Sequence, residues 1–197
     1  MPPQESSVLN LFERTSAYLH GHFRLTSGLH SSEYLQCALV LQHPVHAESL
    51  GRDLARQVVA LLPSDGVNVV ASPAVGGLII GHEVARTLGA RFIFTERGTD
   101  GRMILRRGFS VQPGESVVVI EDVVTTGGST REVVELLAAA GARVLAAGSI
   151  IDRSGGSAEV GAPRTALATL QVTAWLPENC PLCQQGLPVV KPGSRAV

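Results

Sequence analysis

Hydrophobic residues occur in short blocks that alternate between strand-like runs and helical stripes. Residues 67–72 (VNVVAS) and 116–121 (SVVVIE) are apolar runs of strand length, and 91–95 (RFIFT) and 143–151 (RVLAAGSII) repeat the pattern. Between them, 78–88 (LIIGHEVARTL) and 129–140 read as helices stopped by Gly89 and Gly141. Strands that are apolar throughout are buried on both faces. The blocks therefore predict an α/β fold, a central mostly parallel sheet flanked by helices. Ahead of them, residues 6–20 read as a helix. Ser6 or Ser7 could cap it, and Val8, Leu11, Phe12 and Leu19 fall near one face. Residues 34–42 (YLQCALVLQ) read as a strand. Residues 46–62 read as a helix carrying Leu50, Leu54, Val58, Leu61 and Leu62, stopped by Pro63. Residues 97–114 read as a long Gly- and Arg-rich loop, and the tail from Pro177 as a polar surface appendage. Trp175 and His82 are expected in the core.

Composition narrows the class. The chain has 197 residues, 45% apolar and 17% charged, which excludes disorder and suits one domain spanning 1–197. The net charge of −1 leaves no basic field, so no nucleic-acid partner is expected. No apolar run approaches the roughly 18 residues of a membrane span, so no membrane partner is expected either. Met1-Pro2-Pro3-Gln4-Glu5 lacks the basic and apolar regions of a signal peptide, and the expected location is cytoplasmic. Lys191 is the only lysine, which argues against chemistry on a buried, deprotonated lysine.

The densest chemistry lies in residues 117–130, VVVIEDVVTTGGST. An apolar strand delivers adjacent carboxylates, Glu121 and Asp122. Val123 and Val124 follow, then Thr125, Thr126, Gly127, Gly128 and Ser129, and then a helix. Glycines let backbone N–H groups curl around an anion, hydroxyls add donors, and the helix N-terminus adds a favourable dipole. Two acids ahead of this cradle suit a polyol or a metal and would repel a second phosphate. A ribose 5-phosphate satisfies both halves. No G-x-x-x-x-G-K-[ST], no G-x-G-x-x-G after a strand and no G-x-S-x-G is present.

This stretch resembles the phosphoribosyl-diphosphate signature of the type I phosphoribosyltransferases. Residues 22–36 (HFRLTSGLHSSEYLQ), 72–81 (SPAVGGLIIG) and Ile151-Asp152-Arg153 extend the resemblance to the orotate phosphoribosyltransferases, over roughly residues 8–155. The resemblance implies transfer of ribose 5-phosphate from phosphoribosyl diphosphate to orotate, giving orotidine 5′-phosphate and pyrophosphate. Glu121 and Asp122 would hold the ribose hydroxyls, and residues 125–129 the 5-phosphate, with Val123 and Val124 between them in the substrate-binding stretch. Thr125 and Arg153 would meet orotate, with Mg²⁺ held mainly through the substrate. A hood for the base is expected from about 1–45 plus the C-terminal segment. Residues 97–109 would be a mobile lid that reaches the neighbouring subunit of a homodimer.

The basic groups depart from the family. Thr26 stands where many members have a lysine, as a substrate-binding candidate beside Arg24. Residues 74–77 (AVGG) replace another lysine, and the lid carries Arg97, Arg102, Arg106 and Arg107 without lysine or histidine. Arg97 is the candidate catalytic cation beside Asp122 and Glu121. Two other readings stand: transfer to another base, and a regulator that binds phosphoribosyl diphosphate without turnover. Cys180-Pro181-Leu182-Cys183 is a single C-x-x-C, read first as a tight turn. A zinc there would need Cys37, His43, His46 or a second subunit to complete its four ligands.

Overall fold

The computed structural model describes residues 3–25, 28–62 and 66–192. Thr26 and Pro63 lie outside the described residues. Helix α1 (Pro3–Arg14) precedes the hairpin β1 (Tyr18–Arg24) and β2 (His30–Leu35). Two helices follow, α2 (Cys37–Leu41) and α3 (Pro44–Val59). The alternating part runs β3 (Val69–Pro73), α4 (Gly77–Leu88), β4 (Arg91–Arg97), β5 (Met103–Leu105) and β6 (Ser116–Val124). It continues with α5 (Gly128–Ala139), β7 (Arg143–Asp152) and β8 (Arg164–Thr169). A short β9 (Ala174–Trp175), a 3₁₀ turn (Pro177–Asn179) and α6 (Pro181–Gln184) close the described chain.

The main sheet has six strands in the order β5-β4-β3-β6-β7-β8, parallel except for β5. Residue alternation splits its core in two. Val70, Val118 and Ile120 face a cluster built with α1 to α4, around Phe12, Leu54, Val58 and Ile80. Val69, Ala71, Val117 and Val119 face α5 through Val133, Val134 and Leu137. Each such side chain contributes about 1.5–3 kcal/mol by leaving water. The chain leaves β3 toward β4 but leaves β6 toward β7. The crevice beyond the carboxyl ends of β3 and β6 is therefore the switch point where such sheets bind ligands. No helix among the described residues is long and apolar enough to cross a membrane.

A second, three-stranded sheet, β1-β2-β9, forms a hood. Of the stretch 1–45 assigned to it, β1 and β2 lie in this sheet, whereas α1 and α2 belong to the main core. Several local expectations are corrected. The first helix stops at Arg14, with Ser6 and Ser7 inside it rather than at its cap. The Thr15 hydroxyl bonds back to Leu11 O (2.9 Å) and Ser16 turns left-handed, so Tyr18, Leu19 and His20 are strand. The apolar run 34–42 splits at Gln36, whose N–H donates to Ala17 O, and its second half winds into α2. The loop 97–114 contains β5, anchored by buried Met103.

His82 is exposed, its ring against Phe92, and Trp175 is only half-buried on β9. The tail from Pro177 is no appendage. Cys180 is fully buried, and Val190 exchanges backbone hydrogen bonds with β1, from Arg24 N and to His22 O, both 2.8 Å.

Candidate active site

The twofold alternation of β6 sets the site. Carried two residues past Val119 and Ile120, it sends Glu121 toward α5 and Asp122 toward α4. The contacts agree. Glu121 hydrogen-bonds Thr130 in the first turn of α5. A Cβ on Gly76, just before α4, would lie 2.5 Å from Asp122 Oδ1. Gly76 is therefore what lets the loop after β3 close over the Asp122 carboxyl. The two acids meet at the switch point, Glu121 buried and Asp122 half-buried at a cavity wall.

Their ionisation is costly there. Burial pushes Glu121 well above the usual carboxylate range, and the Asp122 charge beside it adds to the effect. Burial also raises Asp122, against a hydrogen bond from its neighbour Val123 N (2.9 Å). The two carboxyls are close enough that a charge on Asp122 opposes a charge on Glu121. A cationic or hydroxyl-bearing ligand is the natural relief for such a pair.

Beyond the acids, the chain forms the cradle. Gly127 is left-handed (φ 80°) and precedes α5 with no side-chain cap, so the first-turn amides are left for a ligand. A side chain at Gly127 would strike Val160 Cγ1 at 2.9 Å. A cavity of about 190 Å³ is lined by Glu121 and residues 123–130. A second cavity of about 330 Å³ adjoins it, sharing Val123, Thr125 and Thr126. Its other walls are Asp122, Arg153 and the hood residues Leu25, Tyr34, Leu35 and Gln36. A larger hollow of about 590 Å³ is lined by β1, β2 and C-terminal residues, without the acid pair.

Arg153 is held by its own N–H donating to Val124 O (2.8 Å), level with the cradle. Its side-chain Nε is buried with no partner among the described residues. Burial lowers its proton affinity, against the pull of Glu33, Tyr34 and Tyr18. A buried guanidinium N–H without a partner is costly, and the residue that carries it also lines the second cavity. Sequence position alone could place Arg153 after a strand, but not expose this vacancy.

The remaining candidates are placed differently. Arg97 sits beside the cradle, donating to Ser129 Oγ (3.2 Å), but its guanidinium is paired with Glu132 (2.8 Å). The 97–109 stretch is a hairpin on the edge of the sheet. Arg107 pairs with Glu96 and lies over the Phe94 ring, while Arg102 and Arg106 are exposed. Arg24 is exposed at the end of β1. Cys37 lies next to the acid pair, its thiol toward Asp122 O (3.9 Å), and not near Cys180 and Cys183.

An acid pair, an anion cradle and a hooded cavity thus meet at one switch point. Residues 45–178 match the family model described as phosphoribosyl transferase domain, and the chain belongs to that family. Orotate phosphoribosyltransferase from Pelotomaculum thermopropionicum is 53% identical over 190 residues, covering 96% of this chain and 97% of the relative. The orotate phosphoribosyltransferase of Heliobacterium modesticaldum is 54% identical over 194 residues, covering 97% and 98%. The crystal structure of orotate phosphoribosyltransferase from Aeropyrum pernix superposes with a TM-score of 0.67 at 25% identity, covering 83% of this chain and 94% of that one. Within the family, the chain falls among the orotate phosphoribosyltransferases.

Proposed function

We propose that this chain transfers ribose 5-phosphate from phosphoribosyl diphosphate to N1 of orotate, releasing pyrophosphate and forming orotidine 5′-phosphate for pyrimidine synthesis. The observation that carries the reading is Arg153. Arg153 lines a cavity that shares Thr125 and Thr126 with the anion cradle, and its buried Nε has no partner among the described residues. Orotate brings a carboxylate, the acceptor a guanidinium fork holds best. Uracil and the purine bases bring none.

In this reading, residues 125–129 bind the 5-phosphate. Glu121 and Asp122 hold the ribose 2- and 3-hydroxyls. As the diphosphate leaves, C1 becomes cation-like, and the nearby carboxylates stabilise it. The positive charge developing on carbon also favours the ionised form of an acid pair that burial otherwise penalises. The cavity offers carboxylates and hydroxyls, hard oxygen donors that fit a magnesium diphosphate. Mg²⁺, arriving on the substrate, supplies charge neutralisation for the leaving group.

A cation-like centre must be kept from water, so the 97–109 hairpin closes over the bound substrates. Its exposed Arg102 and Arg106 reach the diphosphate, in this chain or in the second copy of a homodimer. Arg97 acts through the cradle, orienting Ser129. The enzyme works in the cytoplasm.

The test is pyrophosphate release from purified protein with Mg²⁺ and phosphoribosyl diphosphate, with orotate, uracil, hypoxanthine or adenine supplied separately. Release with orotate alone is expected. Release with another base would overturn the choice of base and leave the transfer reaction standing. Binding of phosphoribosyl diphosphate without release for any base would make the chain a binding protein.

A further inference from the structure

Far from the acid pair in sequence, four side chains with metal-binding atoms meet under the hood. His22 comes from β1 and His30 from β2. Cys180 precedes α6, and Cys183 lies one turn further on, so both sulfurs face the same way. The four ligand atoms all lie within 4.8 Å of one another. We propose that His22, His30, Cys180 and Cys183 form a closed tetrahedral zinc site that fastens the C-terminal segment to the hood.

The first argument is hydrogen-bond arithmetic. His22 Nε2 has three neighbours at once: His30 Nδ1 at 2.9 Å, Cys180 Sγ at 3.5 Å and Cys183 Sγ at 3.7 Å. Cys183 Sγ is also 3.3 Å from His30 Nδ1. One ring nitrogen offers one proton or one lone pair, and cannot serve three partners. A cation at the centre serves all four.

The second argument is tautomer. The other nitrogen of His22, Nδ1, lies 2.8 Å from Leu187 O. A carbonyl only accepts, so Nδ1 carries the proton and Nε2 presents a bare lone pair to the cluster. A backbone carbonyl behind a ligating histidine is the usual outer support of a metal site.

The third argument is metric. With Zn–N near 2.0–2.1 Å and Zn–S near 2.3 Å, a tetrahedron has N–S edges of about 3.5 Å and an N–N edge of about 3.3 Å. Three of the four N–S separations, at 3.3, 3.5 and 3.7 Å, bracket the first value, and the fourth lies within 4.8 Å. The N–N separation is the tightest edge and opens by about 0.4 Å when the ion enters. Two thiolates and two imidazoles with no oxygen donor select zinc over Mg²⁺. His22, His30 and Cys180 are buried and Cys183 is exposed, and four protein ligands fill the tetrahedron, so no open position is left for a substrate. The site is structural.

The ion would close a long connection. It joins residues about 160 positions apart, beside the backbone bonds between Val190 and β1. It thereby holds the hairpin whose Leu25, Tyr34 and Leu35 roof the Arg153 cavity. The sequence reading of a plain turn is replaced, and so are the partners it weighed. Cys37 lies against Asp122, and the His43 and His46 rings lie against each other.

The test is metal content of the chain expressed with zinc and dialysed against metal-free buffer. One zinc per chain is expected in the parent and in Cys37→Ser and His46→Ala. Cys183→Ser and His30→Ala should lose it at least about tenfold. If those variants fail to fold, cobalt substitution of the parent decides. Tetrahedral d–d bands with thiolate-to-cobalt charge transfer support the site, and an octahedral, thiolate-free spectrum overturns it. A metal-free parent with a Cys180–Cys183 disulfide, or zinc lost with Cys37 instead, also overturns it. None of these readouts depends on orotate turnover.

Discussion

Strands β6 and β7 lie side by side, level at Val124 and Asp152, and each brings an acid to the same edge of the sheet. The two ends are opposites. Asp152 accepts from Ser154 N (2.7 Å), Ser154 Oγ (2.6 Å), Gly156 N (3.2 Å) and Arg164 Nη1 (2.6 Å). Burial pushes its carboxyl up, but the bonds from Ser154 and Arg164 outweigh this and hold it below its ordinary value. Asp122 accepts from Val123 N (2.9 Å) and has, among the described residues, no cationic partner of the kind Arg164 gives Asp152, and burial leaves it raised. The arginines divide the same way. Arg164 spends its guanidinium on Asp152 and Ala158 O, while Arg153 keeps an empty Nε. One end is satisfied and works as scaffold. The other is left unsatisfied, and its vacancies are the shape of a ligand.

The sharpest way to break this contrast is Asp122→Asn. It should lower kcat about a thousandfold, as removal of a charge aimed at a cation-like transition state does. The fold should gain about 1 kcal/mol, because a buried repulsion is gone. The pH dependence fixes the sign. A carboxyl raised in the folded state binds more protons there than in the unfolded chain. Its stabilising share is complete below the ordinary carboxylate range, near pH 4, and is lost as pH rises toward the raised folded value. The ligand-free parent should therefore lose this share as pH rises from about 4 to 8, and Asp122→Asn should flatten that slope. Thermal melts at both pH values with initial rates check it. A variant that is inactive and also destabilised would place Asp122 in the scaffold.

The matching test on the scaffold side is Asp152→Ala. It removes the buried partner of the half-buried Arg164 guanidinium and should cost about 3 kcal/mol of stability. Here the sign is reversed. The lowered carboxyl contributes above the ordinary range and loses its share as pH falls below about 4. Denaturant midpoints at pH 7 should drop far more for Asp152→Ala than for Asp122→Asn. Equal drops would erase the distinction between the two strand ends.

How much of this could be read in advance depends on chain separation. Glu121, Asp122 and residues 125–129 are consecutive, so strand, acids and cradle appear as one local string. Strands β3, β4, β6 and β7 were equally legible, because apolar strands and glycine-stopped helices carry their own periodicity, whereas β5 was hidden in a Gly- and Arg-rich loop. The run 34–42 was not, since a short apolar stretch fits a strand or a buried helix equally well. It took the Gln36 N–H bonding to Ala17 O to divide it. The contacts of the tail were invisible for the same reason. His22 finds Leu187 and Cys180 only once the hairpin has folded. Nor can a sequence distinguish Arg153 from Arg164, because the difference is which of them has already found its carboxylate.

That last difference yields the finest test. If the empty Nε of Arg153 is reserved for the carboxylate of orotate, Arg153→Ala removes one charged, forked hydrogen bond, worth about 2–3 kcal/mol. KM for orotate should rise about a hundredfold and KM for phosphoribosyl diphosphate less than about threefold. Arg153→Lys keeps the charge but not the fork, and its point charge should recover only part of the loss. Stability should barely move in either variant, because Nε has no partner in the free protein to lose. Steady-state kinetics with each substrate varied in turn separates the outcomes. If both KM values rose together, Arg153 would be holding the cradle rather than the base. If stability fell as in Asp152→Ala, Arg153 would be a second Arg164, and the two strand ends would differ in their acids alone.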